Sequence, residues 1–128
     1  MRLLLDTNVL LWAMAGDARI DHLRARLLDE DNEVYVSAAS YWEVAIKAGI
    51  GKLDVDVRQL RQAVRLSGFA ELPVLGVHTE RLAGLPAIHR DPFDRLLVAQ
   101  ADVEPMRLLT SDRLLAGYGA SVEVIRTG

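Results

Sequence analysis

Short apolar runs that fit strands alternate along the chain with longer amphipathic stretches that fit helices. Leu3-Leu4-Leu5 predicts a buried strand over residues 2–5, and Asp6-Thr7-Asn8 then opens an apolar helix ending near Gly16. A second helix is predicted from Ile20 to Asp29, with Leu23, Leu27 and Leu28 on one face and Arg24 and Arg26 on the other. Val34-Tyr35-Val36, β-branched and aromatic, predicts the second strand. The third helix starts between Ser37 and Ser40 and stops at Gly49-Ile50-Gly51. Asp56 caps a fourth, with Leu60, Val64 and Leu66 as inward positions and Gly68 as its stop. Residues 70–74 predict a third strand, placed at a sheet edge by Pro73, followed by a short helix from Thr79 to Ala83. Asp91-Pro92 is the strongest helix start, an N-cap acid followed by proline at the first helical position, and its helix carries Leu96, Leu97, Val98 and Ala101. Residues 107–110 predict a fourth strand, Ser111 or Asp112 a short helix, and residues 122–125 a final strand. This alternation, without repeat or linker, predicts one α/β domain over residues 1–128, with a central, mainly parallel sheet of about five strands flanked by helices.

If the sheet is parallel, four of the acids become related. Crossover helices run antiparallel to the strands, so strand ends and helix starts share one edge, the edge at which open α/β sheets bind ligands. Asp6 closes the first strand, Glu43 follows the second, Asp94 opens the helix before the fourth strand, and Asp112 follows that strand. Each acid also has an ordinary structural explanation. Ser40-Tyr41-Trp42-Glu43 matches a capping box, Asp91 and Asp94 are related in the same way, and an acid in a first turn gains about 0.3–1 kcal/mol from the helix dipole. Convergence changes that balance. Two carboxylates about 5 Å apart repel by roughly 3 kcal/mol at an effective dielectric near 20, more than capping returns. Either some of the acids are protonated or a cation lies among them.

Composition narrows the cation and leaves the partner open. Cysteine is absent, which removes disulfides, thiol catalysis and thiolate metal sites and is compatible with a reducing cytoplasm, the expected location. His22, His78 and His89 share no metal-ligand spacing and read as surface or structural residues. Oxygen ligands then point to Mg²⁺, with Mn²⁺ able to substitute, and to phosphodiester hydrolysis as the natural chemistry. With 51% hydrophobic and 26% charged residues the chain reads as globular, neither disordered nor membrane-spanning. Arg2, the leucine run and Ala13-Met14-Ala15 imitate a secretory signal, but Asp6 and Asn8 interrupt its apolar core. The net charge of −3 speaks against a nucleic-acid partner only until the four clustered acids are set aside, because a loaded cation site contributes little net negative charge. Only Lys47 and Lys52 are lysines, so most of the cations are arginines, suited to bidentate phosphate contacts.

Other residues around the predicted edge carry weaker signals. Thr7, Asn8, Thr110 and Ser111 are placed to hydrogen-bond the acids or a phosphate, with turn and cap chemistry as the plain explanation. Lys47 lies one turn after Glu43 and is placed either for an i,i+4 ion pair or for substrate. Arg95 and Arg113 each follow a site acid, where they can touch a phosphate backbone or simply be solvated. Gly49-Ile50-Gly51-Lys52 lacks the spacing and the following hydroxyl residue of a phosphate loop. Trp12 and Trp42 read as core residues, Trp12 also as a minor interface candidate.

These segments together resemble the PIN-domain ribonucleases, in particular the VapC toxins of VapBC toxin-antitoxin pairs. The resemblance runs through Leu4-Leu5-Asp6-Thr7-Asn8-Val9-Leu10-Leu11-Trp12, Ser40-Tyr41-Trp42-Glu43-Val44-Ala45-Ile46-Lys47 with Gly51-Lys52-Leu53, His89-Arg90-Asp91-Pro92-Phe93-Asp94-Arg95-Leu96-Leu97-Val98-Ala99-Gln100-Ala101, and Leu109-Thr110-Ser111-Asp112. Residues 54–88 carry little of the motif. The resemblance implies a Mg²⁺-dependent endoribonuclease in which Asp6, Glu43 and Asp94 hold the metal directly or through water and Asp112 completes the site. It also implies a homodimer and inhibition by a cognate VapB-type antitoxin. Three alternatives remain. An aspartate-nucleophile phosphatase needs an aspartate where Asn8 stands, and a receiver domain needs an adjacent N-terminal acid pair and a late-strand lysine that are missing. A PIN-like scaffold that binds RNA or protein without cutting is the third.

Overall fold

The computed structural model describes residues 1–128. Five strands form one sheet in the order β3-β2-β1-β4-β5, where β1 is Arg2–Leu5, β2 Glu33–Ser37, β3 Ala70–Leu72, β4 Arg107–Thr110 and β5 Val122–Val124. Every neighbouring pair is parallel, with Leu4 opposite Tyr35 on one side and Leu108 on the other. β1 is central, and Leu3, Leu4 and Leu5 are fully buried. Alternation divides them between two cores, as expected for a strand covered on both faces. Leu3 and Leu5 join Val34, Val36, Val44, Leu60 and Val64 under helices α1 (Thr7–Ala15), α2 (Arg24–Leu28), α3 (Ala38–Gly49) and α4 (Val57–Leu66). Leu4 joins Leu97, Val98, Met106 and Leu108 under α5 (Gly76–Ala83) and α6 (Pro92–Val103).

The strand order fixes where a site can form. The chain winds outward from β1 through β2 to β3, then returns through α5 and α6 to lay β4 against the other side of β1. The connections therefore diverge between β1 and β4, which makes the crevice beyond their carboxyl ends the topological switch point. Asp6 and Asp112 flank it, and the Asp6 amide donates to the Leu109 carbonyl across it at 3.1 Å.

Several predicted boundaries shift, each for a physical reason. The segment expected to be one helix from Ile20 to Asp29 is a 3-10 turn over Ala18–Leu23, with a non-helical break at Ile20, followed by α2. Leu23 and Leu27, one turn apart, are buried as expected, but Leu28, at the end of α2, lies about 100° round the helix from Leu27 and is exposed. Leu66, expected to face inward, is 80% exposed: it closes the last turn of α4, beyond the face set by Leu60 and Val64. β3 ends at Leu72, before Pro73 would have to supply an amide, and α5 begins at Gly76 rather than Thr79. Trp42 is not a core residue; it lies largely exposed with its ring edge-on to Phe93 at 5.0 Å. Trp12 is half-buried, packing on the core under the Arg19 guanidinium.

Candidate metal centre

The four acids reach the carboxyl edge by different routes. Asp6 caps α1: its Oδ1 accepts from the Val9 amide at 2.8 Å, leaving the rest of a 4% exposed carboxylate facing the crevice. Asp112 caps the 3-10 turn Arg113–Tyr118, accepting from the Leu114 amide at 3.0 Å. Asp94 sits in the first turn of α6, but the predicted capping box is only half made. Asp91 Oδ1 accepts from the amides of Phe93 and Asp94, whereas the Asp91 amide donates to His89 Nδ1, so the Asp94 carboxylate is free of capping. Glu43 is the larger correction. The N-cap of α3 is Ser37, whose hydroxyl accepts from the Ala39 amide, so Glu43 lies beyond the first turn and cannot close a box on Ser40.

What Glu43 does instead is informative. It is 6% exposed; its Oε2 pairs with Lys47 Nζ at 2.8 Å, and its Oε1 is buried with no partner at all. Buried polar atoms are nearly always satisfied, so a carboxylate oxygen left without a partner at the crevice is a donor that a cation can take up. The electrostatics agree. Burial, with Glu43 and Asp112 adding repulsion against hydrogen bonds from Thr110 and Val9, pushes the Asp6 carboxyl up to about 6. Burial, then the negative charges of Asp91 and Asp6, pushes Asp94 up to about 7. Lys47 is held above its ordinary value by the Glu43 carboxylate and also feels Asp91 and Asp94, so it is the cation at the rim of the group. One ammonium does not neutralise these acids. An all-oxygen donor set with an unpartnered buried oxygen fits a hard divalent cation.

His89, read from the sequence as surface or structural, belongs to the site. Its Nε2 lies 2.7 Å from Asp112 Oδ2 and 3.8 Å from Asp94 Oδ2, and ligand atoms of the three residues fall within 4.8 Å of one another. The hydrogen bonds settle its role. Because Nδ1 accepts the Asp91 amide, the neutral ring carries its proton on Nε2 and donates it to Asp112. In this arrangement His89 holds a carboxylate and is not itself a ligand. The Tyr118 hydroxyl in turn accepts from the His89 amide at 3.0 Å, tying the loop down. The retrievable sequence signal was position: His89 lies in the loop entering α6, on the same edge as the acids, and ligand spacing was the wrong criterion. His78 is structural, fully buried against Glu104, and His22 is exposed.

The remaining expectations divide. Thr110 accepts from the Asp112 amide, and its hydroxyl lies close enough to Asp6 to offset part of the rise in that carboxyl, as expected of a supporting residue. Thr7 does not reach an acid; it donates to Ser40 and ties α1 to α3. Asn8 is exposed and Ser111 half-buried on the edge. Arg95 turns back to the Leu85 carbonyl and its Nε is buried, which removes it from a substrate role, while Arg113 is exposed beside Asp112.

Comparison with known proteins places the fold in a family. The family model described as PIN domain matches residues 3–120. A curated relative, Ribonuclease VapC22 of Mycobacterium tuberculosis, is 28% identical over 121 residues, covering 90% of each chain. Among solved structures the fold is similar to VapBC2 from Rickettsia felis bound to a promoter DNA fragment, at TM-score 0.71 and 17% identity over 100% of both chains. It is also similar to VapBC-5 from Mycobacterium tuberculosis, at TM-score 0.61 and 24% identity over 98% of both. With its five-stranded parallel sheet and acids at the switch point, the chain belongs to the PIN domain family.

Proposed function

We propose that this protein is a Mg²⁺-dependent endoribonuclease of the VapC type, with Mn²⁺ able to replace Mg²⁺. The observation that carries the reading is the crevice between β1 and β4, where the buried Asp6, the orphaned Glu43 oxygen and the partly buried Asp94 repel one another with too little positive charge nearby. Asp6, Glu43 and Asp94 would hold the cation. When bound, it supplies the positive charge that a phosphodiester displacement needs and acidifies an attacking water. The side chains do the rest. Asp112, fixed by the Leu114 amide and the His89 ring, closes the acidic rim, and Thr110 keeps Asp6 and the start of the Asp112 turn in register. Lys47 sits at the mouth, where it can leave Glu43 for a substrate phosphate once a cation takes its place.

Exposed apolar surface, and the VapBC complexes among the similar structures, support protein partners. A groove of about 220 Å³, lined by Trp12, Met14, Ile20, Leu27 and Phe69, lies open between α1 and α2. It supports docking of the apolar side chains of a VapB-type antitoxin. Trp42, Ile46 and Ile50 form an exposed stripe along α3, which supports a homodimer. No helix is long and apolar enough to cross a membrane; the expected location is the cytoplasm.

Calorimetric titration of Mn²⁺ into the wild type and Asp94→Asn tests the site without a guess about the RNA. Binding that weakens sharply in the variant supports the nuclease, and no binding by either favours the silent scaffold.

A further inference from the structure

We propose a second anion site on the far side of α3, built from Tyr41, Arg61 and Arg65, that takes a phosphate of the RNA strand away from the scissile bond. Its ligand's source rests on the ribonuclease reading; the site itself does not. Tyr41 and Glu43 are two residues apart, so their side chains leave the helix roughly 200° from each other. One enters the acid crevice and the other the space beneath α4.

Tyr41 is 8% exposed, yet its hydroxyl has no hydrogen-bond partner. Leaving a buried hydroxyl unpaired is unfavourable, and a bound oxyanion would supply the missing acceptor. With Arg61, Val64, Arg65, Phe69 and Glu71, Tyr41 lines a cavity of about 150 Å³. Glu71 does not make it acidic, because Arg61 grips that carboxylate through Nε at 2.7 Å and Nη2 at 3.2 Å, leaving Nη1 to spare. Arg58, Arg61 and Arg65 all lie on exposed positions of α4, a helix without one acidic residue, and line the adjoining surface pocket with Val57 and Gln62. On a chain of net charge −3 this is a concentrated positive patch.

The donor set selects the ligand. The Tyr41 phenol, the unused Nη1–H groups of Arg61 and the fork of Arg65 line the cavity. A phosphate accepts from all three, whereas a carboxylate, with two oxygens, meets them less completely. A phosphate also matches the family's polyanionic substrate, and three arginines along one helix face can follow a backbone.

The test uses metal-free protein, so that RNA is not cut. Anisotropy of a labelled single-stranded oligoribonucleotide is followed against salt for the wild type, Tyr41→Phe and Arg65→Gln. Shifts of the arginine Nε–H resonances are followed on adding inorganic phosphate. Arg65→Gln should weaken RNA binding about tenfold and flatten the salt slope by about 0.7, and Tyr41→Phe should weaken it about fivefold without changing the slope. Phosphate should shift Arg61 and Arg65 in the wild type and less in Tyr41→Phe. Wild-type behaviour of both variants in both assays overturns the site. Phosphate shifts with unchanged RNA binding overturn the RNA strand as the source, and an acidic peptide that displaces phosphate at equal concentration overturns phosphate in favour of a protein partner. If the wild type binds no RNA while phosphate shifts persist, the ribonuclease reading has failed and the anion site has not.

Discussion

Glu123 and Asp94 are covered to a similar degree, their side chains 29% and 21% exposed, yet the protein treats them in opposite ways. Glu123, on the outer strand β5, receives both Nη atoms of Arg26, at 2.5 and 2.9 Å, and Arg107 at 3.2 Å. The hydrogen bond from Arg26 outweighs burial and holds its carboxyl below the ordinary value. Asp94 has Asp91, Asp6 and Glu43 for neighbours, and burial together with their charge raises it to about 7. A covered acid supplied with an arginine is a brace. One supplied with further acids, in a fold that elsewhere spends arginines on bracing, is kept for a cation that comes from outside the chain.

The sharpest way to break this contrast is Asp94→Asn. Removing one oxygen ligand and one charge from the crevice should abolish Mn²⁺ binding and lower RNA cleavage by about a thousandfold or more, several kcal/mol of lost electrostatic stabilisation. The circular dichroism spectrum should be unchanged, since Asp91, not Asp94, caps α6. Cleavage at the wild-type rate by the folded variant would remove Asp94 from the mechanism.

Stability against pH separates the two acids in sign. Asp94 binds its proton more tightly folded than unfolded, so the metal-free protein should lose stability as pH rises from about 4 to about 7, by of the order of 4 kcal/mol from this group alone. Asp6, raised to about 6, acts in the same direction. Glu123 acts in the other: its contribution is present above the ordinary glutamate value and is lost as pH falls through its lowered folded value. In melts with a chelator, Asp94→Asn should therefore be more stable than the wild type near pH 8 and similar near pH 4. Glu123→Gln should be less stable by about 1–2 kcal/mol near pH 8. A wild-type midpoint that climbs steadily from pH 4 to pH 8 would show that the crevice acids are not strained.

His89 sharpens the comparison from within the site. If it acts by donating Nε2–H to Asp112, His89→Gln, which can present an N–H near the same place, should retain most of the Mn²⁺ affinity, and His89→Leu should lose about tenfold. Equal losses in the two variants would instead make the ring a ligand in the loaded protein.

How much of this was legible in the sequence depends on the kind of order involved. Strand identity and parallel pairing followed from period and composition, because Leu3-Leu4-Leu5 and Val34-Tyr35-Val36 fit few other environments. The convergence of the acids followed from topology alone. Orientations decided by tertiary packing did not follow: Trp42 resting on Phe93 from another helix and Arg95 folding back to the Leu85 carbonyl both depend on contacts outside their own helix. His89 was missed for a related reason, since its role comes from a loop whose path no local pattern reports.

The smallest expected effect tests the misread cap. Ser40-x-x-Glu43 has the letters of a capping box, but the helix starts three residues earlier, at Ser37. Ser37→Ala removes the acceptor for the Ala39 amide and should cost about 1 kcal/mol, lowering the melting midpoint by a few degrees. Glu43→Gln forfeits the Lys47 pair but relieves repulsion from Asp6 and the cost of burying a charge, so metal-free it should melt within about a degree of the wild type. With Mn²⁺ present the order should reverse. The cation should raise the midpoint of Ser37→Ala as it does that of the wild type, and Glu43→Gln should gain little, because stabilisation by a bound ion scales with its affinity for the folded state. A Glu43→Gln variant that melts as low as Ser37→Ala without metal, and gains as much with it, would make Glu43 a helix cap and leave the orphaned oxygen unexplained.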